Sequence, residues 1–263
     1  MGLESFLTNI LGHMQSAEEQ YAIGLEALDG TKTGWQDAPK ATRFFKYASD
    51  RGHVQASVKL GECCEYGIGT EQNPGEAARL YRIAANAGDG ESLGRLGNCY
   101  RYGTGVEQDF AKAFGLYRKA SDQNDSGGWN GLGLCFEQGL GAQQDYAEAV
   151  KCYLKAADHG YAEAQYNLGR CYSHGIGVSQ DHVKAAEYYM LAAEQATDGL
   201  DMPQRKQTRP LIVEAQFTLA ECYANGIGVD QDDDIARLWY RKATHRGHAE
   251  ASIKCADIFR NQE

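Results

Sequence analysis

The amino-acid sequence repeats itself with a period of 36 residues. A Leu-Gly pair recurs at Leu60-Gly61, Leu96-Gly97, Leu132-Gly133 and Leu168-Gly169, and a Gly-x-Gly motif follows each pair, at Gly67, Gly103, Gly139 and Gly175. The last copy, Leu219-Ala220 with Gly226-x-Gly228, comes 51 residues later, so 15 residues are inserted before it. A strict period of this length predicts a protein of stacked structural repeats. Such an array offers an extended binding surface rather than a single pocket.

Each repeat carries the pattern of two amphipathic helices. In residues 162–196 the first helix has Ala164, Leu168, Cys171 and Tyr172 on one face, and Gly175 ends it in the left-handed cap conformation. A column of N-cap residues precedes the second helix: Asp37, Asn73, Asp109, Asp145, Asp181 and Asp232. The second helix carries a column of aromatic residues: Phe45, Tyr81, Tyr117, Tyr153, Tyr189 and Tyr240. No alternating strand pattern occurs, so the sequence predicts an all-α fold.

Composition and charge narrow the function classes. The net charge is −10, and no basic run of the kind that tracks phosphates occurs, which argues against a nucleic-acid partner. No stretch approaches the roughly 20 apolar residues of a membrane span, and the N-terminus lacks the features of a signal peptide. We therefore expect a cytoplasmic protein without a membrane partner.

The eight cysteines are expected to pack as small buried hydrophobes rather than to form disulfides. Five of them share one helix column: Cys63, Cys99, Cys135, Cys171 and Cys222. Equivalent helices of adjacent repeats lie roughly 8–10 Å apart. A disulfide needs Cα atoms within about 7 Å, so bridges along this column are not predicted.

The unit A-x-x-x-L-G-x-C-Y-x-x-G-x-G-V-x-x-D-x-x-K-A-x-x-Y-Y-x-x-A-A resembles the Sel-one-like repeat, a branch of the tetratricopeptide superfamily. Residues 164–193 match it nearly position by position, and the resemblance covers about residues 17–261. It implies a right-handed α/α solenoid of stacked helical hairpins. It also implies that the first helix of each hairpin lines a concave inner face, and that the protein is an adaptor or scaffold. The first repeat departs most, because Gly24-Leu25 inverts the Leu-Gly order.

The resemblance implies a division of the chain into ranges. Residues 1–16 are expected to form an N-terminal capping helix, with partner or dimer docking as the alternative; residues 17–248 form six repeats; and 249–263 form a C-terminal capping helix. The insertion at about 197–211 contains Pro203 and Pro210, which argue against one continuous helix. We expect it to lengthen the neighbouring helix and then form an exposed loop, either as a tolerated insertion or as a contact for an acidic partner.

Catalytic, metal and cofactor sites are not predicted. The Gly-x-Gly motifs lack the preceding strand and further offsets of a phosphate loop. His245, His248 and Cys255 are too few and too poorly spaced for a zinc site, which usually needs four ligands. Serine, histidine and aspartate are abundant, but none of them stands in the recognisable sequence context of a nucleophile. The sequence therefore predicts a protein that is not an enzyme and that holds no cofactor.

Three rows of the first helices vary between repeats while the packing columns stay constant. The first row is Glu62, Asn98, Leu134, Arg170 and Glu221; the second is Glu65, Arg101, Glu137 and Ser173; the third is Tyr66, Tyr102, Gln138, His174 and Asn225. We call these the inner rows. The candidate partner-binding residues are Glu62, Glu65, Tyr66, Asn98, Arg101, Tyr102, Glu137, Gln138, Arg170 and His174. The alternative is that they are ordinary solvated helix faces.

The sequence thus predicts a protein or peptide partner on the inner rows. One alternative is a regulatory inhibitor or immunity-type binder of an enzyme or toxin. Another is a small-molecule binder or hydrolase with a pocket between repeats. A monomer is expected, and a homodimer through the terminal helices is the other possibility.

Overall fold

The computed structural model describes residues 16–30, 36–195 and 204–260, with side chains at 16–30, 36–195 and 210–256. Within these ranges the chain forms 13 helices and no strand, which confirms the all-α fold. The helices are α1 (Ala17–Asp29), α2 (Ala38–Asp50), α3 (Val54–Tyr66), α4 (Pro74–Asn86), α5 (Gly90–Tyr102), α6 (Phe110–Ser121), α7 (Ser126–Gln138), α8 (Tyr146–Asp158), α9 (Ala162–His174), α10 (His182–Glu194), α11 (Gln204–Asn225), α12 (Asp233–His245) and α13 (Ala249–Arg260). None of these described helices has the length and apolar character that a membrane crossing requires.

The helices form two compact units of three hairpins each, and unit 2 contains one further helix after its third hairpin. Unit 1 extends to Gln123 and holds α1 to α6, whereas unit 2 begins at Asn124 and holds α7 to α13. Within each unit, a first helix packs against the second helix of its own hairpin, and that second helix packs against the first helix of the next hairpin. The stacked hairpins expected from the 36-residue period are therefore present in both units.

The residues of the N-cap column cap the amino ends of the second helices. The side chains of Asp37, Asn73, Asp109, Asp145, Asp181 and Asp232 each accept a hydrogen bond from a backbone amide three residues ahead, at 2.9–3.0 Å. These bonds satisfy amides that have no partner inside the helix, and one such cap stabilises a helix by about 1 kcal/mol. The predicted boundaries of the second helices are confirmed.

The glycine of the Leu-Gly pair makes room for the aromatic ring of the same hairpin. At Gly97, a Cβ atom would lie 2.6 Å from Cε1 of Tyr117, whose side chain is fully buried. The ring therefore lies directly on the backbone of the first helix. Small residue and aromatic ring together set the distance between the two helices of the hairpin.

The two glycines of each Gly-x-Gly motif have different roles. Gly67 ends α3 in the left-handed conformation, with φ +70°. Gly69 faces the preceding hairpin, where a Cβ would lie 2.1 Å from the carbonyl oxygen of Ala38. The motif closes one helix and lets the loop approach the start of the previous second helix, so its function is packing.

The first repeat keeps the register of the others, and the expected inversion at Gly24-Leu25 is wrong. Gly30 ends α1 as Gly67 ends α3, so Ile23-Gly24 corresponds to Leu60-Gly61. A Cβ at Gly24 would lie 2.5 Å from Cε1 of Phe45, as at the other copies. The pair was missed because isoleucine replaces leucine.

The insertion contributes to a helix rather than ending one. Helix α11 begins at Gln204 and continues through Pro210 to Asn225, so the expectation that Pro210 interrupts the helix is wrong. Proline removes one hydrogen bond, but the following turns bury Val213, Ala215 and Leu219 in the core of unit 2. Tertiary packing of this face outweighs the local preference. The predicted N-terminal capping helix at 1–16 lies almost wholly outside the described residues.

Candidate protein-interaction surface

The exposed side of each first helix is a stripe with helical spacing. In α5 this stripe consists of Glu91, Arg95, Asn98 and Tyr102, at positions i, i+4, i+7 and i+11. Glu91, Asn98 and Tyr102 are exposed and Arg95 is half-buried. By their spacing the first and third inner rows belong to this stripe, while the second row lies beside it on the helix.

In unit 1 an acid–base cluster centres on Arg95. Its guanidinium donates to Glu62 at 2.6 Å, on the preceding first helix, and to Glu91 at 2.7 Å, on its own helix. Lys59 donates to the other oxygen of Glu62 at 3.0 Å. Glu62 is only 3% exposed, so two cations compensate a carboxylate that is almost out of contact with water. This cluster joins α3 to α5.

The second row supplies acceptors for buried tyrosine hydroxyls. In unit 1, Tyr81 donates to Glu65 at 2.6 Å, and burial raises the pKa of the Tyr81 hydroxyl. In the next hairpin, Tyr117 donates instead to Asn98 of the first row, also at 2.6 Å. A buried hydroxyl without an acceptor would destabilise the fold. Glu65 and Asn98 are therefore structural partners of the aromatic column as well as members of the inner rows.

The carboxyl end of α5 carries the most exposed aromatic side chain among the described residues of unit 1. Tyr102 is 61% exposed, and the guanidinium of Arg101 lies 4.8 Å from the centre of its ring. Arg101 itself is 8% exposed. Tyr66, at the equivalent position of α3, is half-buried, and burial raises its pKa. An exposed ring with an arginine against its face is a combination typical of interface hot spots.

Two of the candidate residues are not exposed as a contact row requires. Glu62 and Arg101 are both buried, because Glu62 is enclosed by its two cations and Arg101 lies against Tyr102. The idea that the inner rows are surface throughout is wrong at these two positions and at Leu134 of the first row, which is also buried. They can support neighbouring residues such as Tyr102, which is exposed to solvent.

Unit 2 repeats the pattern with other residues. Glu137 accepts hydrogen bonds from Tyr153 at 2.5 Å and from Arg170 at 2.9 Å. Behind this pair, Asn167 donates to Asn130 at 3.2 Å, and both amides are buried. Polar contacts therefore connect α7 to α9, as they connect α3 to α5 in unit 1.

The remaining candidates of unit 2 lie at the carboxyl ends of their helices. Gln138 and His174 are exposed, and the Nδ1 atom of His174 lies 3.0 Å from the carbonyl oxygen of Arg170. Glu221, in the last hairpin, accepts from Tyr240 and lies 3.5 Å from the Nζ atom of Lys254. The carboxyl ends of the first helices of unit 2 thus carry polar side chains.

Two regularities of this surface were not predicted from the sequence. Cations reach back to a carboxylate 33 residues earlier: Glu62 with Arg95, Glu137 with Arg170, and Glu221 with Lys254. A glutamine column also holds the end of the first helix, since Gln72, Gln108, Gln144 and Gln180 each donate to a carbonyl seven residues earlier at 2.8 Å. The 33-residue spacing is about one helical turn shorter than the 36-residue period. A search of the sequence for opposite charges 33 residues apart would have found these pairs.

The histidine and cysteine side chains that were considered for metal binding or disulfides have structural contacts instead. The Nδ1 atom of His248 accepts from the amide of Ala251, and its ring stacks on Phe217 at 4.2 Å. The eight cysteines, all within the described ranges, form no disulfide, and burial raises the pKa of the Cys63, Cys171 and Cys222 thiols to about 11. Among the described residues, no three metal-ligating side chains come together.

Helical hairpins joined by tight glycine loops, with variable side chains gathered on the first helices, define a tandem helical-repeat protein. The chain belongs to the Sel1 repeat family, whose profile matches residues 20–53, 54–89, 90–125, 130–161, 162–196 and 213–248. The resemblance inferred from the repeated motif is confirmed. A comparison with curated protein sequences gives no match.

Solved structures of the same fold come from several bacteria. A Sel1 repeat protein from Oxalobacter formigenes is 27% identical, with a TM-score of 0.77, and the match covers 94% of this chain and 67% of that one. A protective antigen present in uropathogenic Escherichia coli strains is 28% identical, with a TM-score of 0.59, and 93% and 57% of the two chains are covered. The chain thus spans about two thirds or less of these relatives.

A third solved structure is the immunity protein Pa5087 from Pseudomonas aeruginosa. It is 18% identical, with a TM-score of 0.57, and the match covers 88% of this chain and 81% of that one. At this identity the likeness shows the fold alone.

Proposed function

We propose that the chain is a non-catalytic interaction module that binds a protein or peptide partner through the exposed stripe of its first helices. The observation that carries the proposal is Tyr102, a large aromatic side chain that is 61% exposed beside the Arg101 guanidinium. Tyrosine and arginine are the residue types that dominate binding energy in interfaces. Repeats of this kind also present an extended surface, which suits a protein partner better than a small molecule.

The surroundings of Tyr102 favour binding without large rearrangement. Asn98, one turn earlier, is held by Tyr117, and Arg95 is held by Glu62 and Glu91. Side chains that are already ordered lose less conformational entropy when a partner binds. The stripe of α5 is therefore preorganised around one exposed ring.

The chemistry of the described residues supports a binding role in a reducing compartment. Seven of the eight thiols are buried and none is bridged, and the raised pKa values of thiols such as Cys99 and Cys152 disfavour the reactive thiolate. Unbridged cysteines in this number are typical of proteins that work in the cytoplasm. We therefore place the proposed partner there.

The test is the loss of a captured partner when Tyr102 is truncated. Affinity capture with the intact chain, followed by mass spectrometry, identifies the partner, and calorimetry then gives its affinity for the Tyr102→Ala variant. A hot spot predicts that the affinity falls by about 30-fold, which corresponds to about 2 kcal/mol. The matched control is Tyr146→Ala, which removes a 43% exposed tyrosine from the second helix α8.

Equal affinities of the two variants would reject the stripe as the binding surface. Circular dichroism of both variants must show unchanged helicity, because Tyr102 and Tyr146 are exposed and their removal leaves the core intact.

A further inference from the structure

The second helices of unit 1 are strongly basic, in contrast to the rest of the chain. Together α2, α4 and α6 contain eight lysines or arginines and two acidic residues, Asp50 and Glu76. The first helices of the same unit contain seven acidic and three basic residues. In unit 2 the second helices carry six residues of each sign. The basic character is therefore specific to one face of one unit, within a chain of net charge −10.

Five of these cations are exposed and make no ion pair with a carboxylate of the described chain: Arg43, Lys46, Arg82, Arg118 and Lys119. We call them the basic patch. Lys46, Arg82 and Arg118 recur at intervals of 36 residues, so they occupy the same position on three successive second helices. Other cations of the face are already neutralised, since Arg79 forms a bidentate pair with Glu76 at 2.7 and 2.8 Å.

Contacts between the helices connect cations of this basic face. Arg82 donates to the hydroxyl of Tyr100 at 3.2 Å, and the Nζ atom of Lys112 lies 5.4 Å from the centre of the same ring. Cations of α4 and α6 therefore meet at one residue of α5. Between α2 and α4, Lys46 joins Arg79 in lowering the pKa of Glu76, whose main cause is the hydrogen bond from Arg79. The cations of the three second helices thus lie close together, and the carboxylates among them include Glu76, beside Arg79 and Lys46, and Asp109, which pairs with Lys112 at 3.0 Å.

We propose that the basic patch is a second interaction surface, which binds an acidic segment of a protein. An array of unpaired like charges gains from a partner that brings carboxylates, because the repulsion is relieved together with the new attraction. Three successive second helices span roughly 20 Å. An extended segment of about six residues covers that distance.

A protein segment fits this face better than a nucleic acid does. Nucleic-acid-binding domains are generally basic overall, with a pI above about 9, whereas this chain has a pI of about 5.2. The first helices of the same unit are acidic, and their negative charge disfavours a long phosphate backbone near the patch. A short acidic segment confines its charge to the five cations.

The test uses charge reversal at the repeated position with a charge-matched control. The patch variant carries Lys46→Glu, Arg82→Glu and Arg118→Glu. The control carries Lys155→Glu, Lys184→Glu and Lys242→Glu, which changes the net charge equally on exposed positions of the second helices of unit 2. The probe is a fluorescein-labelled oligoglutamate of about 12 residues, compared with an oligothymidylate of about 12 nucleotides, by fluorescence anisotropy at about 50 and 200 mM salt.

The wild-type chain is expected to bind oligoglutamate, more weakly at the higher salt concentration. The patch variant should lose about tenfold or more in affinity, and the control less than about threefold. A Gln version of the patch variant, which cannot repel the probe, should show a smaller loss in the same direction. Equal losses in patch and control variants, or tighter binding of oligothymidylate than of oligoglutamate, would overturn the proposal.

Discussion

The same substitution, glycine to alanine, should have opposite effects on stability at two positions of one hairpin. At Gly97 in α5, the new Cβ would lie 2.6 Å from Cε1 and 2.8 Å from Cδ1 of Tyr117. The ring is fully buried, and its hydroxyl is fixed on Asn98, so it has little room to move. Overpacking of this kind destabilises by about 1–3 kcal/mol. The gain in helix propensity is about 1 kcal/mol, so the net loss is about 1 kcal/mol.

Gly115, on α6 of the same hairpin, is the matched control. It lies within the helix, and a Cβ there would meet no atom within 4 Å. Only the propensity term remains, so Gly115→Ala should stabilise by about 1 kcal/mol. The two variants should differ by about 2 kcal/mol. The expected loss of stability at Gly97 is moderate, because the last hairpin accommodates alanine at the equivalent position. Ala220 lies there beside the buried ring of Tyr240.

Urea unfolding followed by circular dichroism measures both changes. A further variant, Tyr117→Leu, removes the atoms that the new Cβ would meet. In that background, Gly97→Ala should become neutral or stabilising, which gives a coupling energy in a double-mutant cycle. If Gly97→Ala stabilises the native chain as much as Gly115→Ala does, the close approach of ring and backbone is not what selects glycine.

Two further predictions concern buried polar groups. Alkylation of the native chain at pH 8 should show one fast-reacting thiol, that of Cys255, because this side chain is partly exposed. Burial raises the pKa of thiols such as Cys63 to about 11, so these should react slowly. A fast phase that survives Cys255→Ser would contradict this. In the first hairpin, Phe45→Tyr should destabilise by about 1–3 kcal/mol, since its hydroxyl would have no acceptor. Adding Leu28→Glu, at the position of Glu65, should restore part of the loss in urea unfolding, and no recovery would refute the assignment.

The repeat period was sufficient to predict the elements of the fold. Each column is read several times along the chain, so a cap such as Asp145 or a ring such as Tyr153 is supported by copies at fixed intervals. The insertion has no copy. There only local preference was available, and Pro210 gave the wrong answer because the packing of later residues was not visible.

The inner rows were harder to predict because helical periodicity gives direction but not environment. Glu62 and Tyr102 both belong to the exposed stripe by spacing, yet one is 3% and the other 61% exposed. The difference comes from Lys59 and Arg95, which enclose Glu62 from two helices. Long side chains that reach across repeats decide such exposure, and a single column does not record them.

The variation of the inner rows is itself partly structural, as the aromatic column shows. A tyrosine hydroxyl of the aromatic column can reach either of two positions on the first helix of its hairpin. The second-row residues Glu65 and Glu137 accept a hydrogen bond from the hydroxyl in their hairpins, and Ser173 of the same row is hydrogen-bonded to Tyr189. In two other hairpins the acceptor is a first-row residue, Asn98 or Glu221. Where one position supplies the acceptor, the other is released for a different residue. The first hairpin lacks the hydroxyl, since its ring is Phe45, and both positions are leucine there, Leu25 and Leu28. Polar residues in the first two rows are therefore needed where a tyrosine hydroxyl requires an acceptor. Their variation alone does not indicate a binding site. Tyr102 of the third row is 61% exposed, which is why it carries the argument for a partner.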